Sequence, residues 1–468
     1  MLLNTYLDNK KVIGISTIGN ATLIAYDNKP ILATDPWFGD SDPAYFGSWI
    51  TSHVFPKNLQ DDVFNSKYIW FSHGHPDHMN PGSMKKLLGK KLLLPDHVGS
   101  RIYEGLIKKK YSVDILPDRK WVQLSTNIKV LCITTVIQDA ILLVDVNGKL
   151  FVNMNDAAIR HCYAARFIRR IAKSYPQSYL LALAGYGDAN MINFYNEDGI
   201  FVVPPAENKP EVGKTLGLKA NTLGLNNVIP FSSNHQYQRS DSVWANEYTT
   251  PEHAFRVGLP SNINFIPSFV IINCLDGSFE LINPDPVPKI IKNCEEFGDN
   301  WSDELQISDR QVIDNYFKRK EKIRQAVSFI NFRVGGKDNF FKFESNNTKG
   351  ITFEVPRSSL MTAINFEIFD DLLIGNFMKT TLHNMESLYE ADFNQYLAKY
   401  ADNGRAETLS ELEEYFKIYK QRSGREYIYD AFLDKSSSIF HRFISIDRQS
   451  IFYRKTKQFY YYLKRIKI

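Results

Sequence analysis

Cysteine and histidine are both scarce in this chain: its 468 residues include 4 cysteines and 10 histidines. Cys132, Cys162, Cys274 and Cys294 are scattered without paired or metal-type spacing, which argues against a disulfide framework or a cysteine zinc site and leaves ordinary reduced core thiols. An excess of one charge is lacking too. The 56 basic and 52 acidic residues leave +4, too little to make nucleic acid the main partner. No segment reaches membrane-spanning length, and the opening "MLLNTYLDNKKV" meets a charge before any apolar run of signal-peptide type forms. A soluble cytoplasmic protein is expected. With 44% hydrophobic residues over this length, the chain can bury a large core and exceeds the usual single-domain size.

The first part of the chain reads as short apolar strands divided by turn chemistry. "VIGISTIGNATLIAY" and "ILATDPW" flank Asp27-Asn28-Lys29-Pro30, and "AILLVDV" and "KLFVNMND" flank Asn147-Gly148, so both pairs predict antiparallel hairpins. Helical spacing falls in "PGSMKKLLGK", opened by Pro81, and in "AAIRHCYAARFIRRIAKSY". Strands with intervening helices predict a layered α+β domain over 1–290. The proline-rich stretch after "CLDGSFEL" marks a linker, and 291–468 reads as a mixed α/β accessory region. There "SDELQISDRQVIDNYFKRKEKIRQAV" predicts a capped amphipathic helix, "FFKFESNNTKGITFEVP" a hairpin and "ETLSELEEYFKIYKQR" a surface helix. The acidic pair Asp370-Asp371 reads as helix capping or solvent exposure. The closing stretch mixes aromatics with Arg448, Arg454, Lys455 and Lys464; it fits a terminal surface helix first and a contact to an anionic surface or acidic partner second.

Against this background the histidines are unevenly placed. "FSHGHPDHMN" puts His73, His75, Asp77 and His78 within six positions, immediately after the buried-strand run "SKYIWF". The cluster therefore sits at the C-terminal edge of a strand, where layered α/β domains carry their sites. His73 and His75 can converge on one ion, and Asp77 and His78 on a second. Such a pattern arises by chance on the order of 10⁻⁴ times per chain. Imidazole and carboxylate suit zinc, iron or manganese.

At these residues the chain resembles the metallo-β-lactamase superfamily, whose signature is His-x-His-x-Asp-His at the edge of one sheet. The resemblance implies a four-layer αβ/βα sandwich and two divalent metal ions, zinc first, with iron or manganese as alternatives. Asp35 in "ILATDPWF" is similar to an early strand-end aspartate of the branch containing ascorbate-phosphate lactonase, the phosphoethanolamine-lipid phospholipase and CMP-sialic-acid hydroxylase. Asp156 in "LFVNMNDA" matches the metal-bridging aspartate, although it also fits a helix N-cap. His235 in "PFSSNHQYQRSD" matches the last histidine ligand, although a surface histidine fits as well. The family's third first-ion histidine has no counterpart here. Gln138 or Asp139 falls in its approximate place, which would give a harder ligand set and shift weight toward iron.

Two such ions imply an activated water and a polarised carbonyl or phosphoryl oxygen, with Asp77 orienting the nucleophile or accepting its proton. The expected activity is hydrolysis of an ester, lactone or phosphodiester in a small molecule such as a sugar or nucleotide derivative. A non-haem di-iron oxygenase on the same fold is the alternative, and a non-catalytic metal-stabilised binding module the third reading. Arg239 could hold a substrate phosphate or carboxylate, and Trp37, Phe38 and Trp49 could wall the pocket, although large aromatics are more often core. The polar segments "GYGDANMINFYNEDG" and "HQYQRSDSVWANEYTTP" could hydrogen-bond a polyhydroxylated substrate or simply form satisfied loops. A homo-oligomer is compatible with the sequence.

Overall fold

The computed structural model describes residues 12–39, 42–159, 163–185, 191–204 and 211–428. The chain divides into two compact units, Met1–Tyr419 and Lys420–Ile468. The described part of the second, residues 420–428, is helical apart from a turn at Gly424. The basic aromatic stretch at the end of the chain and the first eleven residues lie outside the described residues.

Two large mixed sheets organise the first unit. The front sheet has eight strands in the order Phe279–Leu281, Val270–Asn273, Ile13–Ile18, Thr22–Asp27, Pro30–Thr34, Tyr68–Trp70, Lys91–Pro95 and Ser112–Leu116. The back sheet has seven: Asn264–Phe265, Asn227–Phe231, Ser178–Leu183, Lys149–Asn155, Ala140–Val146, Ile128–Thr134 and Trp121–Gln123. Their facing sides share one core, in which Ile15, Leu23, Leu32 and Trp70 of the front meet Val130, Leu142, Phe151 and Leu181 of the back. Helices Lys57–Asn65, Pro81–Lys86 and Arg101–Lys108 bury Leu59, Val63, Met84 and Leu106 against the front sheet's other side. Helices Ala165–Ala172 and Val212–Leu223 do the same behind the back sheet through Ile168, Leu216 and Ala220. Four layers result, because each sheet is apolar on both faces and must be covered on both.

Local chemistry sets several of these elements. Asn147 and Gly148 both take the left-handed conformation (φ 49° and 77°) between paired strands, as a tight hairpin with right-handed twist requires. Pro81 opens its helix behind Asn80, whose side chain accepts from the Gly82 and Ser83 amides. Of the stretch "AAIRHCYAARF", whose residues 160–162 lie outside the described residues, the described α-helix is Ala165–Ala172. Asp156 is therefore too far upstream to cap it. Cys132, Cys274 and Cys294 are buried free thiols, and Cys162 lies outside the described residues.

A third sheet follows the sandwich, ordered Phe194–Tyr195, Lys379–His383, Gly350–Glu354, Phe329–Val334 and Lys337–Lys342. The expected hairpin over "FFKFESNNTKGITFEVP" does not form. Lys337–Lys342 pairs with the preceding strand through a Gly335-Gly336 turn, and Gly350–Glu354 adds on the other side of that strand in parallel. The helix expected over the stretch opening at Ser302 starts five residues later, as Ile307–Arg319, closed at its start by a reciprocal Gln306–Asp309 cap, and resumes as Glu321–Ala326. This sheet and its helices have their own core, including Phe317, Phe332, Phe353, Phe369 and Tyr396. The sandwich and this region both belong to Met1–Tyr419, and the third sheet takes its edge strand Phe194–Tyr195 from before residue 290. Among the described residues no helix is long and apolar enough to cross a membrane.

Candidate metal centre

The Tyr68–Trp70 strand is central in the front sheet, with parallel neighbours on both sides. Its C-terminal end delivers "SHGHPDH" to the rim, where the Lys149–Asn155 strand of the back sheet ends in Asp156. Four residues at strand ends around this rim adopt left-handed backbone: Asp35 (φ 40°), Gln138 (φ 61°), Asn155 (φ 40°) and Ser232 (φ 54°). Non-glycine residues seldom tolerate this, and such strain gathers at functional sites.

Two triads of ligand-type atoms converge there and share Asp156: His73, His75 and Asp156, and Asp77, His78 and Asp156. His73 Nε2 lies 3.0 Å from His75 Nδ1 and 3.9 Å from Asp156 Oδ2. His78 Nε2 lies 3.4 Å from Asp77 Oδ2 and 3.3 Å from Asp156 Oδ2. Supporting contacts fix these side chains. Asp35 is fully buried; its Oδ1 accepts the Ser72 amide at 2.7 Å and its Oδ2 faces His78 Nδ1 at 3.2 Å. Asp77 accepts from Asn20 Nδ2 at 2.8 Å and from the Tyr45 hydroxyl at 2.6 Å.

The remaining expected residues divide. Asp139 is buried, with Oδ1 4.0 Å from His73 Nδ1. Gln138 instead donates to the Val98 carbonyl and to the hydroxyls of Tyr415 and Tyr419, so of these two it is Asp139 that faces the cluster. His235 is stacked flat on Trp49, ring centroids 3.5 Å apart. It falls outside the close ligand groups, yet both its ring nitrogens are buried without a hydrogen-bond partner, and burial pushes its pKa down to about 3.

Two expectations are corrected. Arg239 lies in the packed interior rather than at the cluster: it is fully buried, paired with Asp241 at 2.8 Å and Asp299 at 2.7 Å, bonded to the Phe46 carbonyl and stacked over Phe377. Trp37 is likewise core, with no exposed surface and its Nε1 donating to the Asp42 carbonyl; Phe38 and Trp49 are buried as well. Around "HQYQRSDSVWANEY", Asn246 exchanges hydrogen bonds with the Tyr237 backbone and Asp241 holds Arg239, so these polar groups satisfy one another. Residues 186–190 of the other polar segment lie outside the described residues.

The sequence reading missed a contribution from the third-sheet region. Asp370 and Asp371 are buried, and with His75 they form another close group of ligand atoms. Asp370 Oδ2 is 2.9 Å from His75 Nε2. Lys399 Nζ is 3.2 Å from the same nitrogen. The pair in "FEIFDDLLIG" does start a helix, as expected, but the helix is short and buried along its whole length. An acidic pair inside so apolar a run was the available signal, since buried carboxylates need partners.

Electrostatics follow from this crowding. Asp35, Asp77, Asp139, Asp156, Asp370 and Asp371 bring six carboxyl groups to one place, with the Lys399 ammonium among them. Burial, with His78, His75 and Lys399 nearby, holds the His73 pKa well below its usual value. Burial also opposes charging of His78, but Asp77 and Asp156 raise its pKa well above the ordinary range. Burial together with Asp370 and Asp77 raises Asp371. Asp139 Oδ1, Asp156 Oδ1 and both His235 nitrogens are buried polar atoms with no hydrogen-bond partner. Such atoms cost about 1–3 kcal/mol each when left unpaired. Buried carboxyl groups crowded beside imidazole nitrogens are a donor set that fits divalent cations.

No protein-family model matches the chain. By sequence it is similar to a Rieske 2Fe-2S iron-sulfur protein of Mycolicibacterium smegmatis, 32% identical over 88 residues that cover 18% of this chain and 16% of that protein. It is also similar to the cytidine monophosphate-N-acetylneuraminic acid hydroxylase of Danio rerio, 24% identical over 131 residues, 26% of this chain and 22% of the relative. The chain thus spans about a sixth to a quarter of the length of the curated relatives it matches. Among solved structures, an isothiocyanate hydrolase from Delia radicum gut bacteria aligns at 13% identity and TM-score 0.35, over 57% of this chain and 98% of that one. The diiron β-hydroxylase CmlA from Streptomyces venezuelae aligns at 10% identity and TM-score 0.34, over 53% of this chain and 50% of that one. The layering of its own two sheets, with His-x-His-x-Asp-His at the rim where they meet, is the four-layer mixed α/β sandwich expected from the sequence, consistent with a metallo-β-lactamase-like arrangement.

Proposed function

We propose that the chain is a metal-dependent hydrolase acting on an ester, lactone or phosphodiester, with His73, His75 and Asp156 holding one divalent ion and Asp77, His78 and Asp156 a second. One observation carries this reading: a single carboxylate from the back sheet closes both triads built from one turn of the front sheet. His235, whose bare ring nitrogens lie in the same buried region, is the candidate to complete the second set, and Asp139 the first. Bound there, a pair of divalent ions supplies hydroxide near neutral pH and polarises the scissile carbonyl or phosphoryl oxygen. The chain's own groups do the rest. Asp370 accepts from His75 Nε2 and so leaves Nδ1 bare toward His73, the orienting role usual for a carboxylate behind a metal-binding histidine. Asp77, fixed by Asn20 and Tyr45, would take the proton of the attacking water. Stacking on Trp49 holds the His235 ring flat against the neighbouring core.

The test is elemental analysis of protein purified without added metal, alongside turnover of an ester, lactone and phosphodiester panel before and after chelation. Two ions per chain with chelator-sensitive hydrolysis is the expected result; a chain that binds no divalent ion overturns it. Asp139 facing His73 where the family carries a histidine supports a second reading, a di-iron oxygenase, and the hydroxylase named among the sequence relatives points the same way. Bound iron with reductant-dependent oxygen uptake and no hydrolysis would establish that alternative. Zinc with hydrolysis would remove it.

A further inference from the structure

Lys399 is a buried cation in a place where the metal reading calls for ligands. It lies on Gln395–Asn403, a π-helix, a form that is rare and recurs at functional sites. This segment is firmly held. Asp402 pairs with fully buried Lys320 at 2.6 Å and accepts from the Tyr316 hydroxyl at 2.6 Å, and Arg101 donates to Asn403 Oδ1 at 2.8 Å. Gly99, with φ 93°, lets the loop after the Lys91–Pro95 strand press against the segment; a Cβ there would stand 2.6 Å from the Asn403 carbonyl oxygen.

Held in this way, Lys399 is 7% exposed, with Nζ 3.2 Å from His75 Nε2, 3.7 Å from Asp139 Oδ1 and 4.0 Å from Asp370 Oδ2. No carboxylate lies at close hydrogen-bond distance, in contrast to Lys320, which touches Asp402 and Glu407 at 2.6 and 3.0 Å. His75 Nε2 lies close to both Asp370 and Lys399, yet an imidazole nitrogen makes one good hydrogen bond. The ammonium is therefore placed by the field of several carboxylates rather than by a matched partner. All three neighbours belong to the His73–His75 side of the cluster. The Asp77–His78 side is supported by Asp35, Asn20 and Tyr45 instead.

A fixed positive charge a few ångströms from a cation site repels a divalent ion there, and the repulsion falls with distance to the other site. We propose that Lys399 makes the two ion positions unequal: the Asp77–His78–Asp156 position binds a divalent cation tightly, and the His73–His75–Asp156 position binds one at least tenfold more weakly. This rests on the two-ion reading above. It assigns to the third-sheet region a direct part in setting how many ions the centre holds at a given concentration.

Titration of the metal-stripped full chain with Zn2+ alone, followed by calorimetry and equilibrium dialysis, tests it without reference to turnover. Wild-type protein should show two dissociation constants at least tenfold apart; a second site too weak to saturate is the extreme form of the same result. Lys399→Met and Lys399→Gln should tighten the weaker site at least tenfold and leave the tighter one within about threefold, while Lys399→Arg keeps the wild-type separation. Equal constants in the wild type overturn the proposal, as does an unchanged separation in variants that melt like the wild type. Arginine behaving like methionine would assign the effect to shape instead of charge and overturn it too. Absence of any bound Zn2+ in wild type and variants alike would sink the two-ion reading itself, a result distinct from two equal sites.

Discussion

The two ion positions differ in where their support comes from. The Asp77–His78–Asp156 position is made and braced by the two large sheets and their loops: Asp35, Asn20, Ser72 and Tyr45 all precede residue 160 in the chain. The His73–His75–Asp156 position has one further neighbour from the sandwich, Asp139, and takes Asp370 and Lys399 from a region more than two hundred residues later. One half of the centre is thus a local product of strand ends, and the other is finished by a distant layer. Arg239 and Lys399 show the same contrast in buried cations. Arg239 meets matched acceptors and serves the packing, whereas Lys399 lies among acceptors that no single contact satisfies.

The comparison can be broken at the residue both halves share. Asp156→Ala should empty both positions and bring metal content from about two ions toward none, whereas His78→Ala should cost only one; retention of a full complement in Asp156→Ala would show that no carboxylate is shared. Arg239→Met should destabilise the fold by about 3–5 kcal/mol in denaturant unfolding, since Asp299 is left buried without its cation, and should leave metal content intact. Loss of ions with unchanged stability would return Arg239 to the site. Chelation of the loaded protein should remove about 3 kcal/mol per ion at concentrations roughly a hundredfold above the dissociation constant, read as a fall in melting temperature that added Zn2+ reverses. Smallest is Asp370→Asn, expected to weaken the His73–His75 position about tenfold without touching the other; equal weakening of both would erase the distinction between the halves.

Legibility in the sequence followed the range of the interactions. The Asn147-Gly148 hairpin, the Pro81 helix start and the placement of "SHGHPDH" after a buried strand were all readable, because each is decided within about ten residues. The strand order after residue 329 was not, since two runs separated by a turn signal look like a hairpin even when the second joins the far side of a third strand. Polarity also misled at Arg239. A cation close to a histidine in sequence suggests anion binding, but the fold turned it toward Asp299 and Phe377 instead. Gln138 and Asp139 are adjacent, and only the left-handed backbone at Gln138 separates one side chain toward the tyrosines from the other toward His73.

The sequence by itself determined that histidine and carboxylate would gather at the end of one strand, and that apolar strands and helices would stack in layers around it, for these depend on periodicity and on turn chemistry. The tertiary structure alone decided which distant groups close the cluster. Whether Asp370 is a helix cap or a partner of His75, and whether Lys399 faces water or carboxylates, depends on how separately folded layers dock. Burial then fixes the charge each group must answer.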